Sequence, residues 1–217
     1  MTLPMTREFL DNYLTGNGQA ITVPARSLFE KYSTYIMEPL SQHPSFMSQL
    51  ESAVDGQSLN QTLIVDFYLR DPFGQDWYDR ALNYGMASFK VNGTFRLVDG
   101  EMRFVGTITS EKDNWDFASN GSRGRELDLL AGGPRALLDP GNVGKTFDII
   151  YWGGGLAVDV NLQDMNHAAD SYGDQLRTKE MSYPQLVEFF QQNMDRLFQE
   201  FPEAVPVFGG QLIFAGI

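Results

Sequence analysis

The hydrophobic pattern changes its period once along the chain, and this change constrains the fold more than any other feature. Up to residue 55, apolar residues recur three or four positions apart, whereas residues 61–110 largely alternate between apolar and polar side chains. The first spacing is typical of amphipathic helices and the second of half-buried strands. The sequence therefore predicts N-terminal helices followed by an antiparallel meander of strands, which is an α+β fold.

Three helices are predicted in the N-terminal part. The first carries its apolar residues at 9–14 and ends at the Gly-Asn-Gly of residues 16–18. The second spans 26–38 and is closed by Pro39, and the third begins at Ser45, keeps Val54 inward and stops at residues 55–56. Glycine and proline are the expected stop signals. The apolar stripes of all three helices are predicted to pack in the core.

Strands are predicted at 61–69, 84–91, 93–98 and 102–110, and Asp99-Gly100 indicates a type I′ hairpin turn between the last two. Residues 111–145 are polar, Gly-rich and irregular, which is typical of a functional loop region. Further strands are predicted at 144–152 and 156–160. A C-terminal helix is predicted over 182–201, because Ser182 begins a capping-box-like sequence and Pro202 follows its last apolar residue.

Composition and charge exclude several classes of function. Lys and Arg number 16 against 28 Asp and Glu, and the net charge of −12 disfavours nucleic acid and anionic bilayers as partners. The chain has no Cys, hence no disulfide, thiol nucleophile or Cys-ligated zinc, and its two His cannot form an imidazole cluster for zinc. No apolar run approaches the ~20 residues of a membrane span. The first residues do not read as a secretory signal.

One group of residues has side chains suited to catalysis, and it follows the predicted meander directly. Asp113 and Asp116 lie three positions apart, and Arg123 follows seven positions later. Two such carboxylates can hold a divalent cation or activate a water, and an Arg can clamp a phosphoryl oxygen. On composition alone, an exposed acidic loop with a stray Arg explains the same residues.

This run resembles the active-site signature of the colicin M-type bacteriocins, which reads Asp-any-Tyr-Asp, then five residues, then His-Arg. Asp113, Asp116 and Arg123 fall on its two aspartates and its arginine, whereas Trp115 stands at the Tyr position and Ser122 at the His position. Residues 11–18 resemble the Asp-any-Tyr-Leu-any-Gly-any-Gly segment that opens the family's catalytic domain. Residues 144–149 resemble its closing strand, so the resemblance covers roughly residues 7–152.

The resemblance implies a fold and an activity. The fold would be an open antiparallel half-barrel flanked by N-terminal helices, with residues 1–152 as the catalytic domain and 153–217 as an extension packed on it. Colicin M-like enzymes are lipid II phosphodiesterases, which hydrolyse this peptidoglycan precursor between the undecaprenyl carrier and the pyrophosphate with a divalent cation, usually Mg²⁺. The expected substrate is therefore lipid II at the membrane surface, and no nucleic acid is expected as a partner.

The same resemblance implies roles for the site residues. Asp113 would be the metal ligand or the activator of water, Asp116 would orient the water or Arg123, and Arg123 would grip the pyrophosphate. Trp115 would serve as an apolar wall or as a platform for the prenyl chain.

Ser122 cannot act as a general base without a partner. Either the family's His is auxiliary, or His167 replaces it from the C-terminal extension, or the enzyme is weakened or retargeted.

The expected biology is that of a stand-alone toxin. Without a signal peptide or the translocation and receptor segments of colicins, we expect a protein made in the cytoplasm, secreted by a contact-dependent apparatus such as type VI secretion, and active in the periplasm of the target cell. Its expected protein partners are a cognate immunity protein and a component of the secretion apparatus. Three alternatives stay open: a toxin domain of a longer bacteriocin, a hydrolase of another isoprenyl or nucleotide diphosphate, and a non-catalytic module that binds a cell-wall precursor.

Overall fold

A computed structural model describes residues 6–67, 80, 83–110, 112–115 and 144–175. In these ranges the helices are α1 (Thr6–Thr15), α2 (Ala25–Ser41), α3 (Pro44–Ser52) and α4 (Leu162–Gln175). The strands are β1 (Ile21–Pro24), β2 (Ser58–Asp66), β3 (Met86–Val98), β4 (Glu101–Ser110), β5 (Asp113–Trp115), β6 (Phe147–Trp152) and β7 (Leu156–Asn161). No helix in the described ranges is long and apolar enough to cross a membrane.

The larger sheet has four antiparallel strands in the order β2-β3-β4-β7 and does not close into a barrel. Strands β2, β3 and β4 form the predicted meander, but the strands predicted separately at 84–91 and 93–98 are one continuous strand, β3. Asp99 and Gly100 connect β3 to β4 with φ values of 53° and 84°, as a type I′ turn requires at both central residues. With the helices around it, this open sheet confirms the predicted α+β class.

The smaller sheet has the order β1-β6-β5, and it contains an element that the sequence did not predict. Strand β1 runs parallel to β6, while β5 runs antiparallel to it. Only four residues long, β1 is too short to show a clear alternation, and its partner lies more than a hundred residues away in sequence. Pro24 ends this edge strand, and edge strands are the usual place for a proline within a sheet.

Two predicted helix ends were wrong. Helix α2 does not close at Pro39 but continues to Ser41, because the chain past the proline makes a tighter turn in which the Gln42 N–H donates to Pro39 O at 3.2 Å. Helix α3 ends at Ser52, where Ala53 turns to extended backbone. Val54 therefore does not face inward as predicted, and 72% of it is exposed.

Helix α4 begins directly at the end of β7 and was not predicted. Its start is a reciprocal cap: the Asn161 N–H donates to Asp164 Oδ2 at 2.9 Å, and the Asp164 N–H donates to Asn161 Oδ1 at 2.8 Å. This is the capping-box arrangement with Asn and Asp in the two positions. Thus the described part of residues 153–217 adds a strand to the larger sheet and a helix that packs against α2. The helix predicted over 182–201 lies outside the described residues.

The inner faces of both sheets share one core with the helices. In the larger sheet this face carries alternate residues of every strand, such as Leu63, Phe89 and Ile108. Phe9 of α1 joins the two sheets, because its ring contacts Tyr84 just before β3 and Phe147 on β6, with centroid distances of 6.0 and 5.7 Å. Helix α2 contributes the predicted stripe of buried residues, namely Leu28, Phe29, Tyr32 and Ile36.

Candidate active site

Asp113 begins β5 and lies directly opposite Ile149 on β6. Directly opposed residues of antiparallel strands share a face of the sheet, and Ile149 is in the core. The Asp113 side chain is therefore on the inner face, where it is half-buried. Its Oδ1 accepts a hydrogen bond of 2.9 Å from the N–H of Asn114, which restrains the orientation of the carboxylate.

Trp115 lies two residues further along the same face and only 4% of it is exposed. Its ring stacks on Phe147 at a centroid distance of 5.2 Å and an interplanar angle of 20°. The Tyr13 ring meets it edge-on, also at 5.2 Å. In this position Trp115 forms an apolar wall beside Asp113, and it offers little ring surface to a prenyl chain.

The residues before β6 pack against the C-terminal end of α1. The Lys145 N–H donates to Tyr13 O at 2.9 Å. Gly144 lies against the face of the Tyr13 ring, and a Cβ at this position would overlap the ring atoms. Gly18 has a φ of +79° and lies against the Thr146 carbonyl, because a Cβ at this position would be only 3.1 Å from that oxygen. The end of α1 therefore forms a close backbone junction with the strand that pairs with β5.

The Gly-Asn-Gly sequence that ends α1 has a structural role at this junction. The Gly16 N–H closes the last turn onto Asn12 O at 2.8 Å, and the Asn12 side chain donates to Gln19 O at 2.8 Å. Asn17 and Gly18 both have positive φ, a conformation that Asn and Gly adopt at least cost. These residues reverse the chain into β1 and position Tyr13, and they supply no reactive group.

Two hydroxyl groups lie on the same inner face beside Asp113. Tyr151 is two residues beyond Ile149 on β6, and Ser110 ends β4 opposite the buried Phe89. Both hydroxyl oxygens are fully buried, and neither has a hydrogen-bond partner in the part of the chain that the structure describes. Neither residue was predicted to be functional from the sequence. The available signal was the alternation along 147–151, which places Tyr151 at the end of an apolar face.

The pKa of Tyr151 reflects its burial and its charged neighbours. Burial raises the pKa of Tyr151 well above its ordinary value, and the charges of Asp113 and Tyr84 raise it further because they oppose a phenolate. The nearby Ser110 hydroxyl acts in the opposite direction and lowers the pKa. Tyr151 is therefore a neutral O–H group at any physiological pH.

The outer face of the same sheet carries an ion pair. Lys112 Nζ lies 2.7 Å from Asp148 Oδ2, and both side chains are substantially exposed. The hydrogen bond from Lys112 is the main reason that the pKa of Asp148 is lowered, and one from Asn114 adds to it. This pair links the residue before Asp113 to β6 and belongs to the sheet surface.

The described residues supply one of the predicted catalytic carboxylates. Asp116, Ser122 and Arg123 lie outside them, directly after β5, and their predicted roles stay predictions. Mg²⁺ is commonly held by one or two carboxylates together with waters and substrate phosphates, so the oxygen donors of Asp113 fit this ion. No group of three or more metal-ligating side chains occurs within the described ranges.

His167, the predicted substitute for the family's histidine, is exposed on α4, and this helix packs against α2 and α3.

Comparisons with known proteins gave matches among solved structures. No protein-family model matches the chain, and no curated protein matches it. PaeM, a colicin M-like bacteriocin produced by Pseudomonas aeruginosa, aligns with 72% of this chain and 51% of its own, at 16% identity and a TM-score of 0.49. Pectocin M2 aligns with 71% of this chain and 52% of its own, at 24% identity and a TM-score of 0.49.

Truncated bacteriocin syringacin M from Pseudomonas syringae pv. tomato DC3000 aligns with 75% of this chain and 66% of its own, at 20% identity and a TM-score of 0.47. The chain thus spans about half the length of PaeM and pectocin M2.

Proposed function

We propose that this chain is an antibacterial toxin of the colicin M type, a phosphodiesterase that hydrolyses lipid II between the undecaprenyl carrier and the pyrophosphate. One observation carries the proposal. Three segments that resemble the family in sequence, 11–18, 113–116 and 144–149, are far apart in the chain, and their described residues meet in space. Tyr13 contacts both Trp115 and the backbone at Lys145, and β5 pairs with β6.

This meeting is independent of the sequence match. A loop that matched the signature by chance would have no reason to pack against the two other matching segments. The contacts also give Asp113 the setting that a catalytic carboxylate needs. It is held on a strand rather than on a free loop, with a buried ring on one side and a backbone N–H on its Oδ1.

The proposed chemistry assigns Asp113 to the water or to the metal. The hydrolysis removes undecaprenol from a pyrophosphate, and the negative charge on the phosphoryl oxygens must be offset as the bond breaks. A bound Mg²⁺ would supply this charge, with Asp113 either as its protein ligand or as the activator of the attacking water. Arg123 would grip the pyrophosphate through two parallel N–H groups, and Asp116 would orient the water or Arg123. Trp115 keeps bulk water away from the buried side of Asp113.

The proposal includes the route to the target. We propose that the protein is secreted, with type VI secretion as the favoured apparatus, acts in the periplasm and is neutralised in the producer by an immunity protein. The two-part organisation, with a catalytic domain at 1–152 and an extension at 153–217, belongs to the same proposal. Expression of the chain in the periplasm of a Gram-negative host should cause lysis, and expression in the cytoplasm should not.

The direct test is incubation of the purified protein with lipid II, with and without Mg²⁺, followed by chromatography of the products. We expect undecaprenol and the pyrophosphoryl-linked saccharide peptide with the wild type and Mg²⁺, and intact lipid II with Asp113→Asn. Asp99→Asn is the matched control, because Asp99 lies in the exposed β3–β4 turn, where Asn tolerates the positive φ. Intact lipid II in every tube would refute the assigned reaction.

Two further outcomes identify the alternatives. Cleavage of a short isoprenyl diphosphate in place of lipid II would assign a different hydrolase. Lysis from the periplasm by the wild type and by Asp113→Asn alike would indicate a binding module without catalysis.

A further inference from the structure

The inner faces of the two sheets end in hydroxyl groups beside Asp113. Along β4 this face runs from Phe104 through Ile108 to Ser110, and along β6 it runs from Phe147 through Ile149 to Tyr151. Both faces therefore change from apolar to polar at their ends. Tyr151 is the diagonal neighbour of Asp113 across the β5–β6 pair, a spacing that long aromatic side chains bridge.

Burial without a hydrogen-bond partner in the described ranges makes these two hydroxyls costly to the fold. A buried hydroxyl that makes no hydrogen bond loses its hydration and receives nothing in return. Phe at 151 and Ala at 110 would fill the same inner positions with no polar atom to satisfy. Two such groups beside a carboxylate therefore indicate a small polar ligand that hydrogen-bonds to both.

The chemistry of the three groups selects water over a phosphoryl oxygen. An anionic oxygen offers acceptors alone, so it has no hydrogen to donate to the Asp113 carboxylate or to Ser110 Oγ. A water molecule can donate one O–H to Asp113 and the other to Ser110 Oγ, while the Tyr151 O–H donates to one of its lone pairs. The remaining lone pair is then available for bond formation, and buried waters typically make about three such hydrogen bonds.

We propose that Tyr151 and Ser110 are active-site residues that hold the attacking water beside Asp113. This inference rests on the proposed function. In the reaction the water oxygen forms a bond to the phosphorus next to the carrier, and the bond from this phosphorus to the prenyl oxygen breaks. Asp113 takes one proton from the water and passes it to the prenyl oxygen, so that undecaprenol leaves. The phosphoryl group keeps the new oxygen together with the second proton of the water.

The first test measures lipid II hydrolysis by Tyr151→Phe and Ser110→Ala. We expect kcat to fall by roughly tenfold to a hundredfold in each, with KM changed less than about twofold, because the loss is in positioning the nucleophile. Ser110→Thr keeps a hydroxyl and should retain most of the activity. The matched controls are Tyr35→Phe, a half-buried tyrosine of α2, and Ser88→Ala, which faces outward on β3; both should keep the wild-type kcat.

Melting temperatures separate this role from a structural one. Removal of a hydroxyl that has no partner among the described residues should leave the melting temperature of Tyr151→Phe unchanged or higher. A lower melting temperature with unchanged kcat would overturn the proposal, because it would mean that the hydroxyl serves the fold.

A crystal structure at high resolution tests the water directly and does not depend on lipid II. We expect an ordered water within about 3.2 Å of Tyr151 Oη and Ser110 Oγ in the wild type, and its loss in Tyr151→Phe. No water there in the wild type would overturn the inference even if lipid II were hydrolysed. If the water is present and lipid II stays intact, the proposed function is refuted. The assignment of this water as the nucleophile is then refuted with it, although the water-binding site would have been observed.

Discussion

Replacement of Trp115 by Ala should lower the free energy of unfolding strongly, because this side chain is almost entirely buried between three aromatic rings. Phe147 stacks on it, and Tyr13 and Phe9 meet it edge-on. A buried Trp removes about 200 Å² from water, which at about 25 cal/mol per Å² corresponds to about 5 kcal/mol. This value lies at the upper end of measured Trp→Ala losses, so we expect a loss of about 4–5 kcal/mol.

Trp152→Ala provides the matched control, since 49% of Trp152 is exposed against 4% of Trp115. With about half the area buried, its loss should be about 2 kcal/mol. Urea unfolding followed by circular dichroism measures both. With a slope of about 2 kcal/mol per M, the midpoint should fall by about 2 M for Trp115→Ala and by about 1 M for Trp152→Ala. Equal shifts would refute the assignment of Trp115 to the core.

Trp115→Phe then separates the two roles predicted for this residue. As an apolar wall, Trp115 can be replaced by a smaller aromatic ring with a modest loss of stability and little change in KM for lipid II. As a prenyl platform, it would lose ring surface for the substrate, and KM would rise while the urea midpoint stayed near that of the wild type. Burial of the ring favours the first result.

Three further changes probe the supports of the site. Gly144→Ala should cost about 1–3 kcal/mol, since the new Cβ would overlap the Tyr13 ring, and thermal unfolding measures this loss. Asn161→Ala should cost about 1 kcal/mol and destabilise α4 first, which hydrogen exchange detects, because the reciprocal cap is lost. Lys112→Met should raise the pKa of Asp148 towards its ordinary value, and carboxyl NMR measures the shift.

Each of these expectations has a contradicting result. An unchanged melting temperature for Gly144→Ala would mean that the Tyr13 ring has room to move. Uniform hydrogen exchange along α4 in Asn161→Ala would show that packing rather than the cap holds its first turn. The sign for Asp148 is fixed by its lowered pKa. Its ion pair contributes to the free energy of unfolding above the unfolded-state pKa, and this contribution is lost as the pH falls through the folded-state pKa. The stability difference between wild type and Lys112→Met should therefore shrink on acidification, and a difference that grew would contradict the pairing.

Local patterns predicted the elements whose structure is determined locally. The alternation at 102–110 and the Asp99-Gly100 turn both describe short-range geometry, and the structure confirms both. Strand β1 depends on a partner more than a hundred residues away, and its few residues carry no period of their own. The start of α4 did have a local signal in Asn161 and Asp164, but it was hidden because the strand runs into the helix with no intervening turn.

The candidate site was predictable to the extent that it lies on one continuous stretch of sequence. Asp113 and Trp115 could be recognised by their spacing, and the structure shows what spacing alone does not: both are on the inner face of β5. Tyr151 and Ser110 belong to two other strands. Their nearness to Asp113 follows from strand register, which an isolated strand pattern does not encode.

The inner face of β5 explains why substitutions only two residues apart should affect different properties, one the stability of the fold and the other catalysis. Side chains at positions i and i+2 of a strand lie about 6.6 Å apart on one face, so Trp115 and Asp113 are one such step from each other. On the Trp115 side, the neighbours are aromatic rings that exclude water; on the Asp113 side, they are the hydroxyls of Tyr151 and Ser110. The boundary between core and site therefore crosses β5 between these two residues. Substitutions on one side should change the free energy of unfolding, and substitutions on the other should change kcat.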